Sequence, residues 1–494
     1  MTADKQILFI YDDRIRPEKA IVGVVGESTF GEILNKRERL VDKFKNIIFG
    51  FKDILINDFI VLNREEDYLK LKDRLFLNKD KNLSIIHVMS YGVIVKPDNL
   101  LLALRKSTFS DELLINDNVK PFMFFFPNVG VYSRSLGKFS LEMLQSEDSN
   151  WYDEKVLKPN DGVKNISDFS NFLQFFSGGF EARYFNSLQG DSYTLTKTST
   201  DKKKIEKEHD LYQLLPNEIK NWFVAPYNLT LTDHNASYTM ERLNIPDMAL
   251  QWIHFAVSPQ DLNEFLSKIF FFVSSRPAEN VNEDKFMERF NSLYLRKVDE
   301  RISTLKDLPE FEVIKKLIQL GTNFNSIDEI FGLYKQLYER LIFNQKHHYS
   351  VIGHGDLCFS NILYDKNTSI MRFIDPKGAS NEAEMWTDPY YDVAKLSHSI
   401  FGNYDFINNE MFTININTDM QTVLKIDMKD LSKHKAIFYK QLQQNGFEVY
   451  LVRLCEASLF LSMLPLHIDK PQKVLAFILN AITILEELNS NEQY

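Results

Sequence analysis

Cysteine is nearly absent: in 494 residues only Cys358 and Cys455 carry a thiol. Two cysteines allow at most one bridge, so a disulfide framework and a cysteine-based zinc cluster are both excluded, and such sparing use fits a reducing compartment. Positive charge is in deficit. Lys and Arg number 58 against 68 Asp and Glu, a net charge of −10, which is wrong for a chain that neutralises nucleic-acid phosphates. No run reads as the ~18 or more apolar residues of a membrane span. The opening MTADKQILFIYDD lacks the basic start and apolar centre of a signal peptide. These absences set the expectation of a cytoplasmic protein with no integral membrane segment and no nucleic-acid partner. Internal repeats and low-complexity linkers are also missing.

What is present is ordinary globular composition, 44% apolar and 26% charged, at a length that exceeds one core. Two or three domains are expected. Short apolar runs at 7–10, 20–25, 59–62, 84–88 and 122–126 read as buried strands, with helix-like stretches at 40–48 and 66–75 between them. That alternation predicts an α/β domain with a mostly parallel sheet over residues 1–163. The polar stretch 147–163, with Pro159, Asn160, Asp161 and Gly162 together, reads as a boundary loop. Residues 166–176 read as a helix capped by Ser167 or Asp168.

The order of the front domain resembles that of sugar nucleotidyltransferases. Those enzymes hold a triphosphate on a Gly-rich, Arg-containing loop after the first strand. Here the same place reads DDRIRPEKA, with Arg14, Arg16 and Lys19 but no glycine, so its backbone does not approach phosphate easily. A degenerate domain is the expectation. Asp12 and Asp13 offer carboxylates to a metal but read better as a polar strand end.

A different pattern begins at SGGFEARYFN (177–186). It continues through the turn Gln189-Gly190-Asp191 into YTLTKT (193–198), which reads as a hairpin. Lys197 lies near the end of its second strand. Eleven residues later Glu208 sits on the expected helix Lys202–Leu214, and it is preferred over Glu206, which faces another side. YTMERL (238–243) reads as a strand running into a connector. From Ile245 the chain turns helical. Leu262, Phe265, Leu266, Ile269, Phe270, Phe272 and Val273 form one core stripe, and Ile330, Leu333, Tyr334, Leu337 and Leu341 a second. Residues 474–488 read as a further helix, while 413–427 alternates like strand.

The second stripe delivers the chain to VIGHGDLCFSNILYDKNTSIMRFID (351–375), where the chemistry concentrates. Asp356 follows a strand end and is placed to accept a hydroxyl proton. Asn361 offers a neutral oxygen and Asp375 a charged one. The hairpin between them folds residues fourteen apart side by side. One Asn, one Asp and nucleotide phosphates suffice for Mg²⁺, which keeps part of its water shell. His354 is read as a residue that holds the loop, and Cys358 is given no catalytic part.

HGDLCFSN followed by FIDPKG resembles the aminoglycoside phosphotransferase and choline kinase superfamily, which is similar to the protein kinases in fold. The resemblance spans about 177–400. It implies a two-lobed α+β fold, with a small lobe at 164–243 and a large helical lobe at 244–494. It also implies ATP and Mg²⁺ as cofactors. Lys197 would reach the phosphates, Glu208 would hold Lys197, and the connector residues Met240, Glu241 and Leu243 would meet the base. Asp356 would be catalytic and Asn361 and Asp375 the metal ligands. His354 would give structural support, as would Asp392 in DPYYDVAKLSHS. Asp375-Pro376 stands where protein kinases carry Asp-Phe-Gly, which points to a small-molecule acceptor.

The pairing of such a front and back resembles bacterial capsule and surface-polysaccharide biosynthesis proteins. It implies a sugar, polyol or amino-alcohol acceptor and other polysaccharide-biosynthesis enzymes as partners. The expectation is therefore an ATP- and Mg-dependent small-molecule kinase. The alternatives are a bifunctional nucleotidyltransferase-kinase and a non-catalytic scaffold of kinase-like fold.

Overall fold

The computed structural model describes residues 6–77, 83–116, 121–145, 155–157, 162–176, 186–191, 193–342, 348–418 and 421–490. The chain divides into two compact units, 1–182 and 183–494. Most of the boundary loop at 147–163, and residues 177–185 of the expected hairpin, lie outside the described residues.

In the first unit the strand Gln6–Asp12 is central and almost wholly buried. It runs parallel to Leu55–Leu62 on one side and Leu83–Met89 on the other. The sheet then changes character. Met123–Phe126 pairs antiparallel with Leu83–Met89, and Leu114–Asn116 antiparallel with Met123–Phe126. Leu114–Asn116 in turn runs parallel to Lys155–Leu157, so the sheet is mostly parallel, as expected, with the one strand Met123–Phe126 reversed. The physical reason is loop length: the few residues between Leu114–Asn116 and Met123–Phe126 allow a reversal but not the crossover a parallel pair needs.

Residues 20–25, expected as a strand, belong to the helix Lys19–Val25, which buries Ile21, Val24 and Val25. Those positions fall at i, i+3 and i+4, and a run this short is ambiguous by pattern alone. Asp12 is not a free ligand. Its carboxylate takes the Arg14 guanidinium at 2.6 Å and His87 Nε2 at 3.1 Å, while Arg14 also reaches Glu65 at 2.5 Å and the Phe139 carbonyl at 2.7 Å. Burial pushes the Asp12 carboxyl up, but the hydrogen bonds from Arg14 and His87 win and hold it near 2. Asp13 accepts from the Thr29 hydroxyl at 2.5 Å and Gly31 N–H at 2.9 Å.

The unit boundary falls at 182, not 163. The strand Val163–Asn165 pairs with Gly92–Ile94, and the helix Phe169–Phe176 packs on Lys19–Val25, so this segment completes the first core. Asp168 caps that helix by accepting Asn171 N–H.

The second unit opens with a four-stranded antiparallel sheet in the order Asn186–Gly190, Thr194–Ser199, Ala236–Glu241, Pro226–Leu231. The helix Lys202–Leu214, capped by Asp201, packs on this sheet around Ile205, Ala236, Tyr238 and Met240. A helical body follows. Pro259–Ser275 starts with a capping box between Ser258 and Asp261 and buries the expected stripe from Leu262 to Val273. Ile327–Ile342 buries the second stripe apart from Leu333, which is half-buried. The helix Pro471–Ser490 closes the unit, and 413–427 forms most of the hairpin Phe412–Ile416 with Thr422–Ile426.

One segment does have the length and hydropathy of a membrane span: Val449–His467, at mean hydropathy 1.5. It is 72% buried, packs against Pro389–Ile400 and Pro471–Ser490, and carries the Arg453–Glu456 ion pair. Those are the surroundings of a core helix. The hairpin Ile362–Asp365 with Ile370–Phe373 is bound to the segment leading into the strand Pro226–Leu231, with Phe373 N–H donating to Trp222 O at 2.7 Å and Val224 N–H to Phe373 O at 3.0 Å.

Candidate active site

The strand Tyr349–Ile352 ends in a loop whose backbone is held by one carboxylate. Asp392, fully buried, accepts His354 N–H at 2.9 Å on Oδ2 and Gly355 N–H at 2.8 Å on Oδ1. Arg276 closes the arrangement with a bond to Asp392 at 3.0 Å. The approach is close: a Cβ on Gly353 would lie 2.6 Å from Asp392 Oδ2. Gly355 itself has φ 78, a conformation that L side chains rarely adopt.

His354 uses both ring nitrogens. Nδ1 accepts the Asp356 N–H at 3.1 Å, so Nε2 must carry the proton that bonds Ile374 O at 2.9 Å. The ring stacks on Phe223, and burial lowers its pKa, which keeps it neutral. Its two ring hydrogen bonds are thus to the two loops that present Asp356 and Asp375.

Asp356 carries two side-chain contacts. Oδ1 lies 2.9 Å from Lys395 Nζ, and Oδ2 lies 3.3 Å from Asn361 Nδ2. Burial alone would raise its pKa, but the charge and hydrogen bond of Lys395 prevail and hold it below the usual carboxylate range. Asn361 Nδ2 also donates to the Asp356 carbonyl at 2.9 Å, which leaves its amide oxygen for other use. Cys358 is buried beside this loop, and its thiol is pushed up to about 12, mainly by burial. It is inert as a nucleophile at neutral pH.

The hairpin returns the chain to the same place, with Ile374 N–H bonding Asn361 O at 3.0 Å. The next residue, Asp375, has φ 54, a left-handed conformation that holds strain in a non-glycine residue. Its Oδ1 receives Lys197 Nζ at 2.9 Å, and the same Nζ reaches Glu208 at 2.7 Å. Tyr238, opposite Lys197 in the sheet, donates its hydroxyl to Glu208 at 2.9 Å. Burial would lower the Lys197 pKa, but the Asp375 and Glu208 charges outweigh it and the ammonium persists. Glu206 is more exposed than Glu208 and does not join the pair.

Among the described residues no group of three or more His, Cys, Asp or Glu could form a metal cage. The donors at hand are the Asn361 amide oxygen and the half-exposed Asp375 carboxylate. Hard oxygens in that small number suit Mg²⁺, which is bound by one or two carboxylates and phosphates rather than by protein alone.

The connector residues are more dispersed. Met240 is buried against Ile205 and Tyr238 and lines the space behind the Lys197–Glu208 pair. Glu241 ends its strand exposed, and Leu243 is half-buried in the connector.

Three residues that sequence reasoning passed over enter the site: Arg276, Lys395 and Tyr238. Lys395 stands one helical turn beyond Asp392, so helix periodicity placed it near the loop. Tyr238 alternates with the half-buried positions Ser237 and Thr239 of its strand. Arg276, 116 residues from its partner, left no local signal.

No curated protein matches the chain significantly. Among solved structures it is similar to a thermostable mutant of an aminoglycoside phosphotransferase, at 10% identity and TM-score 0.36, covering 65% of this chain and 99% of that one. A mutant aminoglycoside 2'-phosphotransferase in complex with GDP gives 14% identity and TM-score 0.37, covering 63% and 89%. An ethanolamine kinase of Plasmodium vivax gives 14% and 0.34, covering 60% and 75%. Likenesses at this level add no weight to a functional reading. In sequence, residues 262–375 match the model of the ecdysteroid kinase-like family, and that span holds His354, Asp356, Asn361 and Asp375.

Proposed function

We propose that the second unit transfers the γ-phosphoryl group of ATP to a hydroxyl of a small molecule. The observation that carries this reading is the bridge made by Lys197 between Glu208, at 2.7 Å, and Asp375, at 2.9 Å. A buried strand lysine held by a helix glutamate and pointed at a metal-ligand candidate is the apparatus that phosphates require. The kinase-like family match over residues 262–375 supports it.

In this reading Lys197 exchanges Asp375 for the nucleotide phosphates, and Asn361 and Asp375 hold the metal. Mg²⁺, when bound, supplies neutralisation of the phosphate oxygens. Asp356 orients the acceptor hydroxyl. As that oxygen forms its bond to the γ-phosphorus, the bond to the β,γ-bridging oxygen breaks, ADP departs with that electron pair, and the hydroxyl proton passes to the Asp356 carboxylate. Its depressed pKa makes Asp356 a weak base. That suits a loose transition state, in which the proton moves late and positioning supplies most of the acceleration. A sugar, polyol or amino-alcohol is the acceptor class, and Asp375-Pro376 supports a small molecule over a protein.

We infer that the first unit is a degenerate nucleotidyltransferase-like domain. Arg14, in the loop where a triphosphate would be held, is consumed by Asp12, Glu65 and the Phe139 carbonyl, which disfavours the bifunctional alternative. The resemblance of the domain pairing to capsule and surface-polysaccharide proteins supports a cytoplasmic role in making such polymers.

The test is ADP release from Mg-ATP across sugars, polyols, aminoglycosides and choline. With an acceptor in hand, Asp356→Ala and Asp375→Ala each abolish turnover. Full activity in either variant sinks the assignment, and absence of Mg-ATP binding by calorimetry favours the scaffold alternative.

A further inference from the structure

Two glycines flank His354, and both lie under side chains that leave no room for a Cβ. Thr387 Cγ2 stands 2.9 Å from where a Gly353 Cβ would be, and Lys377 Cβ 2.6 Å from where a Gly355 Cβ would be. Lys377 N–H also donates to His354 O at 3.0 Å. Thr387 and Lys377 are thereby packed on the turn that presents Asp356. Together with Trp386 they line a cleft of about 350 Å³.

The rest of the cleft wall is the helix Glu283–Asn291 where it runs into the π-helical turn Ser292–Arg296, a kind of turn that recurs at functional sites. The charges of this wall are settled elsewhere. Lys285 pairs with Glu279 at 3.0 Å and Glu288 with Arg296, while Arg289 donates to the Ser350 hydroxyl and faces the buried Asp388. One cation of the cleft remains: among the described residues Lys377 has no ion-pair partner.

What is left over is of another kind. Trp386 is half-buried and held by its backbone pairing with Ile352, and among the described residues its indole stacks on no other ring. Its N–H and the hydroxyls of Ser292 and Thr387 have no hydrogen-bond partner among those residues. A bare indole face that shares its cleft with two hydroxyls and one ammonium suits a molecule that is flat and apolar on its C–H face and polar at its edge.

We propose that this cleft seats the sugar ring of the acceptor, with Trp386 against the ring's C–H face and Lys377, Ser292 and Thr387 on its hydroxyls. This rests on the phosphotransfer reading and deepens it, since it narrows the acceptor to a cyclic sugar, neutral or acidic. A linear polyol loses more conformational freedom in presenting a flat face. An amino-alcohol meets the unpaired Lys377 ammonium, which repels its like charge.

The experiment is calorimetry with tryptophan fluorescence on the full chain saturated with Mg-AMP-PNP. The titrants are methyl glucoside, methyl galactoside, N-acetylglucosamine and glucuronate, against sorbitol, ethanolamine and choline. A pyranose binds more tightly than every open-chain compound and changes the wild-type fluorescence. Trp386→Ala binds that pyranose about tenfold or more weakly, while Trp386→Phe keeps the affinity and loses the fluorescence change. Mg-AMP-PNP affinity is unchanged in both variants. Equal pyranose affinity in wild type and Trp386→Ala overturns the proposal, as does an equal loss in Trp386→Phe, tighter binding of an open-chain compound, or binding of no pyranose. Where Trp386→Ala does not fold, Lys377→Met, at an exposed position, gives the same comparison with wild type. Failure of Mg-AMP-PNP itself to bind is a separate result: it removes the phosphotransfer reading, and pyranose titration of the nucleotide-free chain then decides the subsite by the same comparison.

Discussion

His354 Nδ1 accepts the backbone N–H of Asp356, two residues further along the chain, at 3.1 Å. Because the other ring nitrogen bonds Ile374 O, a single neutral imidazole ties the loop of Asp356 to that of Asp375. His354→Ala orphans a donor and an acceptor in a dry site, at about 1–3 kcal/mol each. Denaturant unfolding should show a loss of roughly 2–4 kcal/mol, with turnover falling alongside it. A loss of turnover equal to that of Asp356→Ala, with stability unchanged, would instead make His354 a participant in proton transfer.

Arg276 and Asp392 are buried together at 3.0 Å, and the carboxylate serves two loop amides. Removing one member of such a pair leaves a buried charge and destabilises by about 3–5 kcal/mol. Arg276→Met and Asp392→Asn should each lower the unfolding midpoint. The double variant should lose less than the sum, by at least ~0.5 kcal/mol. Strict additivity in this cycle would show that the two side chains are not coupled.

Glu208 positions Lys197 from the helix Lys202–Leu214. In Glu208→Gln the lysine keeps Asp375 as its only charged partner, so it is drawn away from the phosphates. Affinity for Mg-AMP-PNP should fall about tenfold, or ~1.4 kcal/mol. Unchanged affinity by calorimetry would remove Lys197 from the nucleotide site.

Asp388 caps the helix Pro389–Ile400 and sits in an environment where burial raises its pKa to about 7. An unfolded-state aspartate titrates near ~3.9. Between those values the folded state binds the proton and the unfolded state does not, so stability falls as pH rises from about 4 to 7. The full penalty, up to ~4 kcal/mol, is present above pH 7. Asp388→Asn keeps an oxygen for Tyr294 and for the Tyr390 N–H and removes the charge. It should raise the melting temperature at pH 8 and leave it nearly unchanged at pH 4. An equal effect at both pH values would rule out titration of Asp388 as the cause.

Much of this site was legible because its determinants are local. Asp356, Asn361 and Asp375 lie within one loop and hairpin, and the turn at 366–369 is enough to bring Asn361 O to Ile374 N–H. The choice of Glu208 over Glu206 followed from helix geometry, since positions two apart face different ways. The short run at 20–25 misled because six apolar residues satisfy a strand and a buried helix turn equally well.

By itself, then, the sequence determined the elements of the second unit and the order of its polar residues, because hydrophobic period and turn chemistry act over a few residues. Tertiary structure alone decided what depends on distant segments meeting. It set the unit boundary at 182 through the pairing of Val163–Asn165 with Gly92–Ile94. It reversed one strand of the first sheet, Met123–Phe126. It brought Arg276 across 116 residues to Asp392, and it placed Lys395 against Asp356. Buried charges take whichever partner the packed core supplies, and no spacing along the chain records that choice.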